Sequence, residues 1–294
     1  MRLAVVIVSY RRASALRTTL AHLAQLGVPG IIVDTEIIGT VIVVDNASGD
    51  DTAAMVRRDF PAVTLIELAA NVGVEAFNVG AKSASGEVLL ILDDDAWPAE
   101  GVLQDALGAM QRDAALAAIA LVPVHPGSGQ AEWPFVREPL DAFPFMGCAN
   151  LVRREAWAAA GGYQREFFLY RNDTDLALTL LAQGRHVRCD PAWRAWHDSP
   201  AAAAKSERWL WLATRNWIWL CRRHGRGRAA VMGVLGGVAR AMMHAGLSPR
   251  RLACVARGVW RGFFSPAPIP VVPNTGAGLR RLLEVRRGVR TAQK

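Results

Sequence analysis

Three consecutive carboxylates close a short apolar run in this chain. Val88 to Pro98 reads VLLILDDDAWP: five apolar residues, then Asp93, Asp94 and Asp95, then Pro98, which forbids simple continuation of a strand. A run this short and rich in branched residues predicts a strand buried on both faces, and therefore a sheet covered by helices on both sides. Its carboxyl end delivers three carboxylates to one point on the sheet rim. Side-chain alternation sends Asp93 and Asp95 one way and Asp94 the other. Anions this close repel each other unless a cation neutralises them. A divalent ion with oxygen ligands, itself holding a phosphate, is the economical answer. The competing reading is a solvated turn that caps a helix starting near Gly101.

The preceding segments fit such a sheet. Arg2–Ser9 reads as a strand, and Ala13–Leu26 as a helix with Leu16, Leu20, Leu23 and Leu26 on one face. A Gly/Pro-punctuated connection over Gly27–Gly39 follows, in which Ile31-Ile32-Val33 and Ile37-Ile38 can form an extra extended piece. Then come a strand at Thr40–Val44, a helix at Asp51–Asp59, a strand at Val63–Leu68 and a helix at Val74–Ser85. This alternation predicts βαβ units, a largely parallel sheet, and a ligand beyond the carboxyl ends of the strands. Those ends carry Ser9-Tyr10-Arg11-Arg12, Asp45-Asn46, Asn71-Val72-Gly73 and the aspartate cluster. Each alone also reads as a cap or turn. Together they supply what a nucleotide pocket needs. No glycine-rich phosphate loop follows the first strand, so phosphate falls to a metal and to side chains such as Arg11 and Arg12.

Further on, Leu116–Val124 reads as a strand, HPGSGQAEWP as a loop or hairpin, and Gly147–Val152 as a short strand. A helix at Arg153–Ala160 closes on Gly161-Gly162. After the aromatic-rich Tyr163–Tyr170, Asp173 falls in the first turn of a helix running to about Gln183, where the helix dipole favours its charged form. Gly184 ends that helix, and His186–Cys189 reads as a strand.

The chain's 294 residues, 52% apolar and 20% charged, describe a folded protein with a full core. Its four cysteines lack metal-ligand or redox spacing, which argues against a disulfide framework or structural zinc and for a reducing compartment. With Met1-Arg2 leading straight into a strand, no secretory leader is expected. Net charge divides the chain. Residues 1–200 hold 16 Lys/Arg against 24 Asp/Glu, and residues 201–294 hold 18 against 2. Trp209, Trp211, Trp217 and Trp219 stand among Arg208, Arg215, Arg222 and Arg223. This suits either an anionic membrane interface or a helix packed across the sheet domain. Val231–Leu247, interrupted by Arg240 and His244, reads as an in-plane helix. Ser265–Pro273 reads as a linker and Arg280–Arg290 as a mobile or surface-bound helix. Nucleic acid is not the expected partner, because the aspartate cluster would repel phosphates without a metal.

The segments VIVSYRR, VVDNASGD, the Asn71-Val72-Gly73 turn, ILDDDAWP, GCANLVRREAWAAAGGYQREFFLYRNDTDLALTLLAQG and Trp196-His197 resemble the family 2 glycosyltransferases. These are nucleotide-sugar enzymes with the GT-A fold, Rossmann-like with a mostly parallel sheet flanked by helices. The resemblance covers about residues 3–200 and looks most like bacterial rhamnosyl- and galactofuranosyltransferases of surface polysaccharides. It implies a GT-A domain over 1–200, with a nucleotide-sugar half (1–124) and an acceptor half (125–200); the charge division sets a basic helical region over 201–294 apart from it. The resemblance implies that Asp45 contacts the nucleobase, with Ser9, Tyr10, Arg11, Asn46, Asn71 and Gly73 in the same donor site. Asp93 would brace the site and Asp94 approach ribose or sugar. Asp95 would bind Mg²⁺ or Mn²⁺, with His197 completing the metal or phosphate contacts; His197 also reads as a structural histidine among tryptophans. Transfer would invert the anomeric carbon, with Asp173 as general base for the acceptor hydroxyl. Asn172 stands where a Glu commonly precedes that base, and Asp175 is the substitute candidate. The expected acceptor is a glycan, lipid-linked, at the cytoplasmic face of the cell membrane. The rival reading is a non-catalytic nucleotide-sugar-binding scaffold.

Overall fold

A computed structural model describes residues 1–27, 39–199, 205–268 and 276–292. The extended piece expected at 31–33 and 37–38, and residues 269–273 of the expected linker, lie outside these. The strands are β1 (Leu3–Ser9), β2 (Gly39–Asp45), β3 (Thr64–Glu67), β4 (Val88–Asp93), β5 (Ala96–Pro98), β6 (Leu116–Val124), β7 (Leu140–Asp141), β8 (Ala149–Arg153) and β9 (His186–His197). The helices are α1 (Ala13–Gln25), α2 (Thr52–Asp59), α3 (Glu75–Ser83), α4 (Val102–Arg112), α5 (Arg154–Ala160), α6 (Asn172–Ala182), α7 (Glu207–His224), α8 (Gly227–Ala245), α9 (Pro249–Phe264) and α10 (Ala277–Ala292).

One sheet runs β3-β2-β1-β4-β8-β6-β9-β5, with β7 paired to β9. The first four strands in that order are parallel, and β8 enters antiparallel between β4 and β6. Apolar side chains on both faces of β1 and β4 feed two core layers. One holds Leu16, Leu20 and Leu23 of α1 with Val102, Leu107 and Met110 of α4. The other holds Phe77 of α3, Trp157 of α5 and Leu176 of α6. Val88 to Leu92 are all buried, as a strand covered on both faces requires. The parallel register pairs Ser9 with Asp45 and Val8 with Asp93, so three polar strand ends finish level with one another.

One sequence reading changes. The strand expected to stop at Cys189 continues to His197, because a register shift between the Ala120–Cys189 and Val122–Arg194 pairs absorbs Pro191 as an irregularity. Strand structure does stop at Pro98, as expected: β4 ends at Asp93, and Pro98 is the last residue of β5, a terminal strand of the sheet paired to β9, where a missing N–H is tolerated.

The basic region is packed, not loose. On α7, Trp217 and Trp219 are buried, which favours the packed-helix reading for these two rings. Leu279 and Leu282 of α10 are fully buried against Leu178 of α6 and Trp217, Leu220 and Cys221 of α7. The helix expected to be mobile or surface-bound is thus seated in a core by its leucines, with arginines around them.

Candidate active site

β4 ends at Asp93, whose N–H donates to Cys148 O at 2.8 Å. A turn at Asp94–Asp95 then leads into β5 and parts the carboxylates. Asp94 turns toward β1, where it accepts from Ser9 Oγ at 2.8 Å and pairs with Arg12 at 3.0 Å. Asp95 pairs with Arg12 at 2.7 Å and lies 3.5 Å from His197 Nε2. His197 arrives because β5 and β9 pair Ala96 with His197, and its Nδ1 meets Glu132 at 2.5 Å.

Asp93, Asp95 and His197 bring one ligand atom each to within 4.8 Å of one another. Two carboxylate oxygens and an imidazole suit Mg²⁺ or Mn²⁺ with water or phosphate completing the shell. The electrostatics show a site short of positive charge. Burial, then the neighbouring Asp95 charge, pushes the Asp93 carboxyl up to about 8. Burial also raises Asp94, to about 6, against the opposing pull of Arg12. Burial would raise Asp95 too, but the bond and charge from His197 and then Arg12 outweigh it and hold Asp95 below the usual carboxylate range. For His197 burial acts to lower the pKa, and its bonds to Asp95 and Glu132 overcome this and lift it to about 10. A cation among these oxygens would take over the charge that Arg12 and a protonated His197 now supply. His197 could ligate it only after losing its proton.

Above the cluster opens a cavity of about 390 Å³. Tyr10, Arg12, Asn46, Asn71, Gly73 and Asp93–Asp95 line it from the strand ends, and Phe168, Leu169, Tyr170, His197 and Arg208 close it. Asn46 fixes the Asn71–Gly73 turn, accepting from Val72 N at 2.9 Å and donating to Gly73 O at 3.1 Å. Asn71 Oδ1 accepts from Gly73 N at 2.9 Å. Two of the remaining donor-site residues sit behind the lining. Ser9 is buried beneath Asp94, and Asp45, also buried, accepts from Ser48 N at 3.0 Å. Arg11 is turned away, with Nε donating to Ser48 O at 3.0 Å, and of this pair it is Arg12 that lines the cavity. The reason is local: Arg11 takes a left-handed φ of 58°, which redirects its side chain.

Gly73 is where the far wall closes down on the strand ends. It has φ +63°, and a Cβ there would lie 2.1 Å from Phe168 O. That carbonyl accepts from Val74 N at 2.8 Å. The Phe168 segment is unusual, since Phe168, Tyr170 and Arg171 all have positive φ. It is held from α7: Asn216 Nδ2 donates to Phe167 O at 3.0 Å, Leu169 O at 2.7 Å and Tyr170 O at 2.8 Å, and Arg215 donates to Phe167 O at 2.8 Å. Sequence reading missed Phe168, Tyr170, Arg208 and Asn216, whose only signal was an aromatic run and an Arg/Trp-rich helix.

The wall leads directly into α6, with Asp173 in its first turn. Asp173 does not line the cavity, yet its charge is among those that raise Asp93. Burial raises Asp173 above the usual range despite the Thr174 N–H and Arg171. Asp175, one turn face away, is 1% exposed and meets His224 Nε2 at 2.6 Å and Arg223 Nε at 2.8 Å. Its carboxylate is committed to docking α7.

Residues 4–174 match the family described as Glycosyl transferase family 2. The O-antigen biosynthesis protein RfbC of Myxococcus xanthus is 29% identical over 173 residues, a match that takes in 48% of this chain and 14% of that protein's length. Among solved structures, the mannosyltransferase PcManGT from Pyrobaculum calidifontis in complex with GDP-Man and Mn²⁺ superposes with a TM-score of 0.61 at 20% identity, covering 99% of this chain and 86% of that one. S. aureus TarS 1-349 in complex with UDP-GlcNAc gives 0.64 at 14% identity, covering 89% and 80%. The architecture is therefore GT-A, with a helical extension at its carboxyl end.

Proposed function

The chain belongs to glycosyl transferase family 2, and from that membership we propose that it transfers a sugar from a nucleotide-diphosphate sugar to a glycan hydroxyl, inverting the anomeric carbon. The observation that carries this reading is the meeting of Asp93, Asp95 and His197 at the floor of the strand-end cavity, with Asp173 beside it. The nucleoside occupies the side built by Tyr10, Asn46 and Asn71, with Asp45 and Ser9 supporting it from behind. Arg12 and Arg208 face the diphosphate. Asp94, tied to Ser9 and Arg12, approaches the ribose or sugar.

In the transfer, the acceptor oxygen bonds to the anomeric carbon, the bond from that carbon to the diphosphate breaks, and the hydroxyl proton passes to Asp173. A raised pKa suits Asp173 to take that proton near neutral pH. Asp93, Asp95 and His197 would hold Mg²⁺ or Mn²⁺, which supplies positive charge to the departing diphosphate. Asn172 is buried, and its amide cannot replace a carboxylate, so Asp173 acts without an acidic neighbour at that position.

The kinship with an O-antigen biosynthesis protein supports a role in cell-surface polysaccharide synthesis. The excess of arginine after residue 200 supports a lipid-linked acceptor met at an anionic inner membrane face. The test is release of nucleoside diphosphate from a panel of UDP-, GDP- and dTDP-sugars with Mn²⁺. One donor should turn over in wild type, and Asp173→Asn should slow transfer by about 10²–10⁴ while still binding it. A donor that binds but never turns over would instead make the chain a scaffold.

A further inference from the structure

Among the described residues, every large, strongly exposed apolar side chain lies between Val231 and Phe264. They are Val231, Met232, Leu235, Met242, Met243 and Leu247 on α8 and its following turn, and Trp260, Phe263 and Phe264 on α9. Met243 is 80%, Leu247 97% and Phe264 70% exposed.

Helix geometry makes this one kind of surface. At 3.6 residues per turn, Val231, Met232, Leu235, Met242 and Met243 fall within about a third of the circumference of α8. The opposite side of α8 is cut back to glycine against α7. A Cβ at Gly237 would lie 2.0 Å from the Trp217 ring, and one at Gly233 would lie 2.9 Å from Cys221 Sγ. α9 repeats the design. A Cβ at Gly258 would meet Trp211 O at 2.6 Å and one at Gly262 would meet Ile218 at 2.8 Å, while Trp260 and Phe264 project from the other side. Each helix thus sets two glycines against α7 and carries its largest apolar residues outward.

Charge says what covers these outward faces. Residues 227–264 contain six arginines and no aspartate or glutamate. Arg250, Arg257 and Arg261, all exposed, form a row along one side of the Trp260 stripe, where Arg257 also lies over the Trp211 ring at 4.5 Å, and Arg228 stands on the apolar face of α8. A second copy docked face to face would set arginine against arginine. A polyanion in water would leave tryptophan, phenylalanine and methionine uncovered. A bilayer with anionic headgroups satisfies both sets, taking the apolar side chains below the headgroups and the guanidiniums among them. No helix among the described residues is long and apolar enough to cross a membrane, so the contact is in-plane.

We propose that the outward faces of α8 and α9 form an interfacial docking surface for an anionic lipid bilayer, with Trp260, Phe264 and Met243 inserting and Arg250, Arg257 and Arg261 reading the headgroup charge. This rests on the membrane reading above and adds the surface that makes the contact.

The full chain should co-float with phosphatidylglycerol/phosphatidylcholine vesicles and bind phosphatidylcholine vesicles weakly. The paired change Trp260→Glu, Phe264→Glu should lower binding to the anionic vesicles by about tenfold or more. Lys82→Glu, at an exposed position of α3, should leave it unchanged. Because the substituted side chains are exposed, melting and nucleoside diphosphate release in lipid-free solution should match wild type. Undiminished flotation of the paired variant overturns the proposal. So does an Arg250→Glu, Arg257→Glu variant that loses flotation while the paired variant floats like wild type, which would mark a general polyanion site, or a lipid-free dimer that the paired variant dissolves. Failure of the glycosyltransfer reading would look different: no donor turned over by any variant, with vesicle binding intact.

Discussion

Replacing Gly73 by alanine tests how the donor cavity is closed. Two separate costs arise there. A left-handed backbone at φ +63° disfavours any Cβ by about 1–2 kcal/mol. The added Cβ would also lie 2.1 Å from Phe168 O and 2.8 Å from its ring, a contact no backbone oxygen can rotate away from. The Phe168 segment must then retreat, giving up the Val74 N–H bond, worth about 1 kcal/mol, with about 1–3 kcal/mol of overpacking besides. The expected total is about 3–6 kcal/mol, a fall in melting temperature of roughly 5–10 °C for a chain of this length. Gly184→Ala is the matched control: φ is +73°, and nothing lies within 4 Å of its Cβ, so only the backbone cost of about 1–2 kcal/mol applies. Thermal melts separate the two variants, and titration with donor nucleotide should show weakened binding only for Gly73→Ala, because Phe168 lines the cavity. Equal destabilisation by the two changes, with donor affinity untouched, would refute the claim that Gly73 and Phe168 interlock to shape the site.

Burial holds Asp173 above the ordinary carboxylate range, so transfer should fail as pH drops through that raised value; a kcat profile flat down to about pH 4 would remove it as the base. Asn216→Ala removes three bonds to the carbonyls of Phe167, Leu169 and Tyr170 and should raise KM for the donor more than it lowers kcat, read by steady-state kinetics. Asp175→Ala takes from buried His224 the carboxylate it meets at 2.6 Å, and from Arg223 one of its contacts, and should cost about 3–5 kcal/mol by denaturant melt, whereas a near-neutral result would show that this cluster does not dock α7.

Much of the sheet was legible because its strands are short, apolar and ended by polar residues. Leu116–Val124 reads from the sequence with the bounds it has in the fold, and the ends at Ser9, Asp45 and Asp93 stand level as the βαβ pattern requires. The continuation of β9 past Cys189 was not legible, because it runs through an irregularity whose pairing partners on β6 are distant in sequence. Arg11 and Arg12 were indistinguishable until the φ of 58° at Arg11 chose between them. Asn216 could not have been found, because its partners are carbonyls of a segment 46–49 residues away whose positive φ values leave no mark in composition. The tail helix was misjudged for a related reason: its arginines dominate the sequence, while Leu279 and Leu282 decide where it sits.

The central claim is that the Asp93–Asp95–His197 corner binds a nucleoside diphosphate through a divalent cation. Calorimetric titration of UDP, GDP and dTDP, each with and without Mn²⁺, into wild type and Asp95→Ala tests it most directly. One nucleotide should bind wild type with Mn²⁺, much more weakly without it, and not measurably to Asp95→Ala. Binding of the same strength with and without the cation, or unchanged in Asp95→Ala, would contradict it.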